Sequence, residues 1–110
     1  MRPVSIGANP TANTLTTLYT VPKGYYAKIV SLIATNQSAS NKHVTFDWVD
    51  SSASATYSFV YQYAVTSKSL NDFIASYILL EEDDILKVTT ESASTFAVAV
   101  TLEIEGNQRA

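Results

Sequence analysis

The chain has 110 residues, a formal charge of −3 and no cysteine. That length fits one domain, and the lack of cysteine removes both a disulfide framework and a thiolate metal site. Its 7 basic residues, against 10 acidic ones, form no run, so the Lys/Arg stripe that direct nucleic-acid binding requires is missing. No stretch nears the ~18 apolar residues of a membrane span, and the opening MRPVSIGANPTANT lacks the apolar block of a secretory signal.

Serine and threonine number 13 each, while only 15% of residues are charged. Hydroxyls facing water, with Val, Ile, Tyr and Phe opposite, point to strands rather than helices. Residues 1–13 show neither strand nor helix periodicity, and Pro3, Gly7 and Pro10 interrupt any ladder. They read as an extended N-terminal arm, either a frayed end or a segment lying on a neighbouring subunit. In the second case Arg2, Val4 and Ile6 are the candidate partner-binding residues. Fully burying Val4 or Ile6 would contribute on the order of 1.5–3 kcal/mol each.

Thr14–Val21 is the first expected strand. Pro22-Lys23-Gly24 follows as a tight turn, with Gly24 free to take positive φ. YYAKIVSLIATN is a long strand rich in β-branched residues, and 37–41 is a loop. In residues 42–50 Val44, Phe46 and Trp48 alternate with His43, Thr45 and Asp47. His43 is the only histidine, which excludes a histidine metal cluster within one chain and reads as a surface residue. After the small-residue loop 51–55, residues 56–65 place Tyr57, Phe59, Tyr61 and Tyr63 on one face. Packed against Trp48 they are core, which is the favoured reading. Exposed, Tyr57, Tyr61 and Tyr63 would form a stacking platform for sugars. Residues 66–72 read as a loop, with strands at 73–80 and 85–90. In 96–105 Phe96, Val98, Val100, Leu102 and Ile104 line one face.

These elements imply an all-β chain, a single sandwich of about seven to eight antiparallel strands of the jelly-roll or Greek-key kind. The domain runs over 14–106, with a C-terminal tail at 107–110. Glu81, Glu82, Asp83 and Asp84 fall between two strands and read as a solvated turn, where water screens like charges. Calcium wants six to eight converging oxygens, and no EF-hand spacing is present. Carboxylates at i and i+2 would stand ~6.6 Å apart on strand rise, near the separation in inverting glycosidases, but no cleft or raised pKa is advertised. No GxSxG, P-loop or GxGxxG occurs. No catalytic, cofactor-binding or metal residue is assigned, no cofactor is expected, and the chain reads as a non-enzyme.

Thr17-Leu18-Tyr19-Thr20-Val21-Pro22-Lys23-Gly24, then a strand, then Thr35-Asn36-Gln37-Ser38, resembles a recurrent opening in small virion proteins of tailed bacteriophages, especially cyanophages and marine phages. SLNDFIASYILLEEDDILKV resembles their second half, where L-x-E/D-x-G-D-x-L-x-V closes a hairpin. Asp83 stands where that pattern often has Gly, which implies a less tight turn. The resemblance covers roughly residues 14–105 and implies a β-sandwich module of a phage particle, with no catalytic residues to transfer. The expected role is a capsid decoration or cement protein on the outer particle surface. It would be made in the host bacterial cytoplasm and bridge neighbouring major capsid protein subunits, with a homotrimer favoured. The alternatives are a neck, tail, baseplate or fibre-anchoring component, and a carbohydrate-binding module for host recognition.

Overall fold

A computed structural model describes residues 2–106; the tail expected at 107–110 lies outside the described residues. Nine strands run β1 (Arg2–Ala8), β2 (Thr16–Thr20), β3 (Tyr25–Asn36), β4 (Lys42–Asp50), β5 (Ala55–Val65), β6 (Ser69–Asp72), β7 (Ile78–Leu80), β8 (Ile85–Thr90) and β9 (Phe96–Gly106). All pairings are antiparallel. One sheet has the order β1-β9-β3-β6, with β7 also on β3, and the other β2-β8-β4-β5.

The order follows from one long folded ribbon. β4 pairs β5, β3 pairs β6 and β7, β2 pairs β8, and β1 pairs β9. Rolled over on itself, such a ribbon deals its strand pairs alternately to two facing sheets, which is the jelly-roll arrangement. β6 and β7 together fill one position of that roll, since both pair with β3. The expected sandwich is present.

Binary patterning explains the core. Ala27, Ile29, Leu32 and Ala34 of β3, Val44 and Phe46 of β4, Leu86 and Val88 of β8, and Phe96, Val98, Val100, Leu102 and Ile104 of β9 are all buried. β3 keeps its apolar residues inward over 12 residues because a register shift between Ile29 and Ser31 resets the alternation. A bulge of this kind adds one residue to one strand and bends it.

Four expectations change. The stretch read as an arm is extended, but Arg2–Ala8 pairs with β9 from Arg2↔Ile104 to Ala8↔Val98. Val4 and Ile6 sit opposite Leu102 and Val100 and pack, half-buried, on the same core. Burying those two side chains and satisfying the β9 edge outweighs the breaks at Pro3 and Gly7. Part of the expected loop 66–72 is β6, and the expected strand 73–80 is a strand only from Ile78. Asp72 ends β6 by accepting from the backbone N–H of Leu32 at 3.3 Å and of Ile74 at 3.1 Å. The acidic turn does not close a hairpin: β7 pairs β3 in one sheet, while β8 pairs β2 and β4 in the other. It is an arch between sheets.

The fourth change concerns the aromatic ladder. Tyr57 pairs with Trp48, Ser58 with Asp47, Val60 with Phe46 and Tyr63 with Val44. Two register shifts lie within that span, and Gln62 takes a positive φ of 48°. Its N–H donates to Thr45 Oγ1 at 2.9 Å. The two bulges put buried Val60 where alternation places Tyr61, and Tyr57, Tyr61 and Tyr63 are 47%, 69% and 48% exposed. Of the four rings only Phe59 packs against the buried core, 6.5 Å from the Phe46 ring.

Candidate functional site

The acidic arch and the Pro-Lys-Gly turn lie against each other at one end of the sandwich. Each is a four-residue turn closed by one backbone bond, Tyr25 N–H to Pro22 O at 3.1 Å and Asp84 N–H to Glu81 O at 3.1 Å. Gly24 has φ +85° and Asp83 has φ 68°. Both occupy the third turn position, which requires positive φ in the type II geometry. The pattern resembled by this chain often has Gly at the place of Asp83. Asp reaches the same backbone, since a short polar side chain tolerates the left-handed region better than most, and the arch turn closes with a 3.1 Å bond like that of the Gly24 turn.

The two turns are joined by four contacts. Val21 N–H donates to Asp84 O and Asp83 N–H to Val21 O, both at 2.9 Å. Glu82 Oε1 accepts from the Gly24 N–H at 2.8 Å, and Lys23 Nζ lies 2.6 Å from Asp83 Oδ2. The Asp83 hydrogen bond and charge hold the Lys23 ammonium above its ordinary pKa. Burial pushes the Tyr19 hydroxyl above its ordinary pKa, against a smaller downward pull from Arg2.

Asp84 departs from the solvated turn expected of all four acids, because it is fully buried. Its Oδ2 accepts from Trp48 Nε1 at 3.1 Å and from the Glu81 N–H at 3.0 Å, and its Oδ1 from the Ser51 N–H at 3.0 Å. A buried carboxylate is costly unless hydrogen-bonded, and three donors supply that. Asp84 therefore ties the arch, the sole tryptophan and the β4–β5 loop together. Sequence reading missed this role. The available signal was Trp48 itself, because a buried indole N–H needs an acceptor.

Asp50, Glu81 and Asp84 each bring a carboxylate oxygen within 4.8 Å of the others. Both Asp84 oxygens are engaged by N–H donors, so the cluster offers far fewer free oxygens than calcium takes. Beside it, a cleft of about 590 Å³ opens between Tyr25, Tyr26, Ser51, Leu79 and Glu81. Its lining holds carboxylates, phenols and serine hydroxyls, with no imidazole or amine beside the serines. Of these hydroxyls, Ser52 Oγ donates to Asp50 Oδ1 at 3.0 Å.

The remaining sequence candidates are dispersed. Arg2, Val4 and Ile6 lie on the outer edge of the β1 sheet. Tyr57 and Tyr63 share the inner face of β5, through their partners Trp48 and Val44, whereas the bulge separates Tyr61 from them. The Tyr57 ring stands 5.3 Å from Trp48, and Tyr63 meets Phe73 edge-on at 5.1 Å. The three tyrosines do not form one flat platform. His43 is half-buried, with Nε2 3.6 Å from Glu91 Oε1.

Asn36 of the Thr35-Asn36-Gln37-Ser38 segment is fully buried. Its Nδ2 donates to Ser40 O at 3.0 Å and Val65 O at 2.9 Å, and its Oδ1 accepts from the Ser38 N–H at 2.9 Å. The motif residues are thus the tie points of the jelly roll.

No protein-family model matches the chain, and a search of curated proteins finds no match. Among solved structures the chain is similar to a protein of Bacillus endospore appendages, described as forming a novel family of disulfide-linked pili. Identity is 16%, the TM-score 0.56, and the match covers 94% of this chain and 84% of that one. A second similar structure is a pentameric capsid protein isolated from metagenomic phage sequences, at 16% identity and a TM-score of 0.49. There the match covers 88% of this chain but only 60% of the other. At 16% identity the similarity to the appendage protein is one of fold.

Proposed function

We propose that this chain is a structural component of a tailed-phage particle, and specifically a decoration protein that binds the outer capsid shell and bridges neighbouring major capsid subunits. One observation carries the reading. The residues through which the sequence resembles small virion proteins are those that tie the jelly roll together, namely the Pro22–Gly24 turn, Asn36 and the Glu81–Asp84 arch. The resemblance therefore lies in the architecture, and it extends over both halves of the wrapped ribbon.

The role proposed is non-enzymatic. The buried carboxylate is occupied by structural donors, and no imidazole or amine lines the cleft beside its serines. A disulfide-linked assembly of the kind named for the appendage protein is not open to a chain without cysteine. Association would rest on apolar contact, strand pairing and many weak contacts acting together. The favoured assembly is a trimer at local three-fold positions of the shell, with no direct contact to nucleic acid.

Copy number tests this reading. Quantitative mass spectrometry of purified particles should give a number proportional to the capsid lattice. A copy number matching only the three-, six- or twelve-fold tail axis would move the chain to the neck, tail or baseplate. Binding to a glycan array that vanishes in Tyr57→Ala or Tyr63→Ala would instead place it in host recognition.

A further inference from the structure

We propose that β1 is an exchangeable strand, through which one copy of the chain completes the β9 edge of a second copy. The inference rests on the reading above only for the high local concentration that a particle provides; the strand geometry is independent of it.

The fully buried apolar core begins at Val21, and none of it lies on β1. Among the described residues β1 pairs with β9 alone, so it can leave without disturbing any other ladder. The β1–β9 ladder is regular over seven residues, Arg2↔Ile104 to Ala8↔Val98. The other edges are irregular or short. β2 shifts register between Thr17 and Tyr19, β5 carries two shifts, and β6 and β7 have 4 and 3 residues. Irregular and short edges resist pairing with another chain, so the chain's one long regular edge position is the one β1 fills.

When β1 departs, β9 is left with an unpaired edge and the half-buried pegs Val4 and Ile6 lose their cover. The segment shown to fit that edge is β1, so the occupant is the β1 of a second copy. Exchange preserves every β1–β9 hydrogen bond and both apolar pegs, so the open and closed forms differ by linker entropy, concentration and the hinge contacts of buried Pro10 and of the Asn13 N–H, which donates to Thr90 O at 2.9 Å. Residues 9–15 cross from one sheet to the other, a separation of ~10 Å, and once the Asn13 N–H leaves Thr90 O, seven extended residues reach ~24 Å. The slack allows β1 to swing to a neighbour. A closed short-linker strand competes at an effective concentration on the order of 1 mM, and copies spaced by the molecule's own 52 Å length stand on the order of 10 mM.

The test uses two full-length single variants, Ser5→Cys and Thr101→Cys, in a chain that has no cysteine of its own. Ser5 and Thr101 are direct cross-strand partners, at a Cα separation a disulfide can span. One variant is isotope-labelled. The two are mixed, unfolded under reducing conditions, refolded together at millimolar concentration and oxidised, and the dimers are weighed by intact mass spectrometry. Exchange predicts that the Ser5→Cys/Thr101→Cys heterodimer exceeds each homodimer by roughly tenfold, since neither chain alone can close that pair. The double variant diluted to micromolar concentration should cross-link within one chain. A statistical mixture of dimers, no dimer, or a Ser5→Cys homodimer in excess (edge-to-edge pairing of two β1 strands) would overturn the proposal. A tail-only copy number would leave this result untouched, so the two readings fail separately.

Discussion

Asp84→Ala removes one buried carboxylate and strands three donors, Trp48 Nε1 and the N–H groups of Ser51 and Glu81. A hydrogen bond to a charged group contributes about 1.5–3 kcal/mol net, so three bonds set a ceiling of about 4.5–9 kcal/mol. Ser51 and Glu81 are exposed residues, and water re-solvates their N–H groups in the variant. The expected loss is therefore about 3–5 kcal/mol, a large part of the ~5–15 kcal/mol that holds a typical domain folded. With an m-value of about 1.5 kcal/mol/M, the urea midpoint should fall by roughly 2–3 M. Trp48 is the only tryptophan, so its emission reports both unfolding and its own loss of an acceptor. Asp84→Asn keeps one acceptor oxygen but turns a donor toward an N–H, and should cost about 1–3 kcal/mol. Glu82→Gln, at an exposed site, should cost under about 1 kcal/mol. An Asp84→Ala protein within about 0.5 kcal/mol of the parent would refute the anchoring role.

Phe46→Ala should cost about 3–5 kcal/mol, because Phe46 is fully buried and its ring meets Phe59 and Phe73; chemical denaturation measures it. At Asp83, with φ 68°, substitution by glycine should change stability by less than about 1 kcal/mol, whereas valine should cost about 2 kcal/mol; equal thermal midpoints for the two would contradict the left-handed turn. Gly24→Ala should cost about 1–2 kcal/mol from its φ of +85° alone, as an added Cβ meets nothing within 4 Å. The Tyr19 hydroxyl and the Lys23 ammonium both have folded pKa values above their ordinary 10.0 and 10.5. A raised folded value means that the contribution is full below the unfolded pKa and fades as pH rises through the folded one. Stability should thus decline from about pH 10 upward, and Tyr19→Phe should flatten the first part of that decline in a pH series of melting curves.

Much of the fold was legible in sequence because strand alternation and turn chemistry are local. The inward set of β9, Phe96 to Ile104, and the Gly24 turn needed only neighbouring residues to be read. The tyrosines of β5 were misplaced because a bulge is decided by the partner strand: Thr45 captures the Gln62 N–H and shifts the register. β6 was read as a loop because its pairing lies along distant β3.

Composition and period alone determined that this protein is a two-layered β structure with hydroxyl-rich surfaces, since those properties are written within each short segment. Tertiary structure alone decided that Arg2–Ala8 closes an edge, that one of four adjacent acids is buried, and that Tyr61 is turned away from Tyr57 and Tyr63. Each of these depends on contacts between different segments of the chain, from β4 and β5 to its two ends. A local pattern cannot encode which distant donor or ladder edge will be there to meet it.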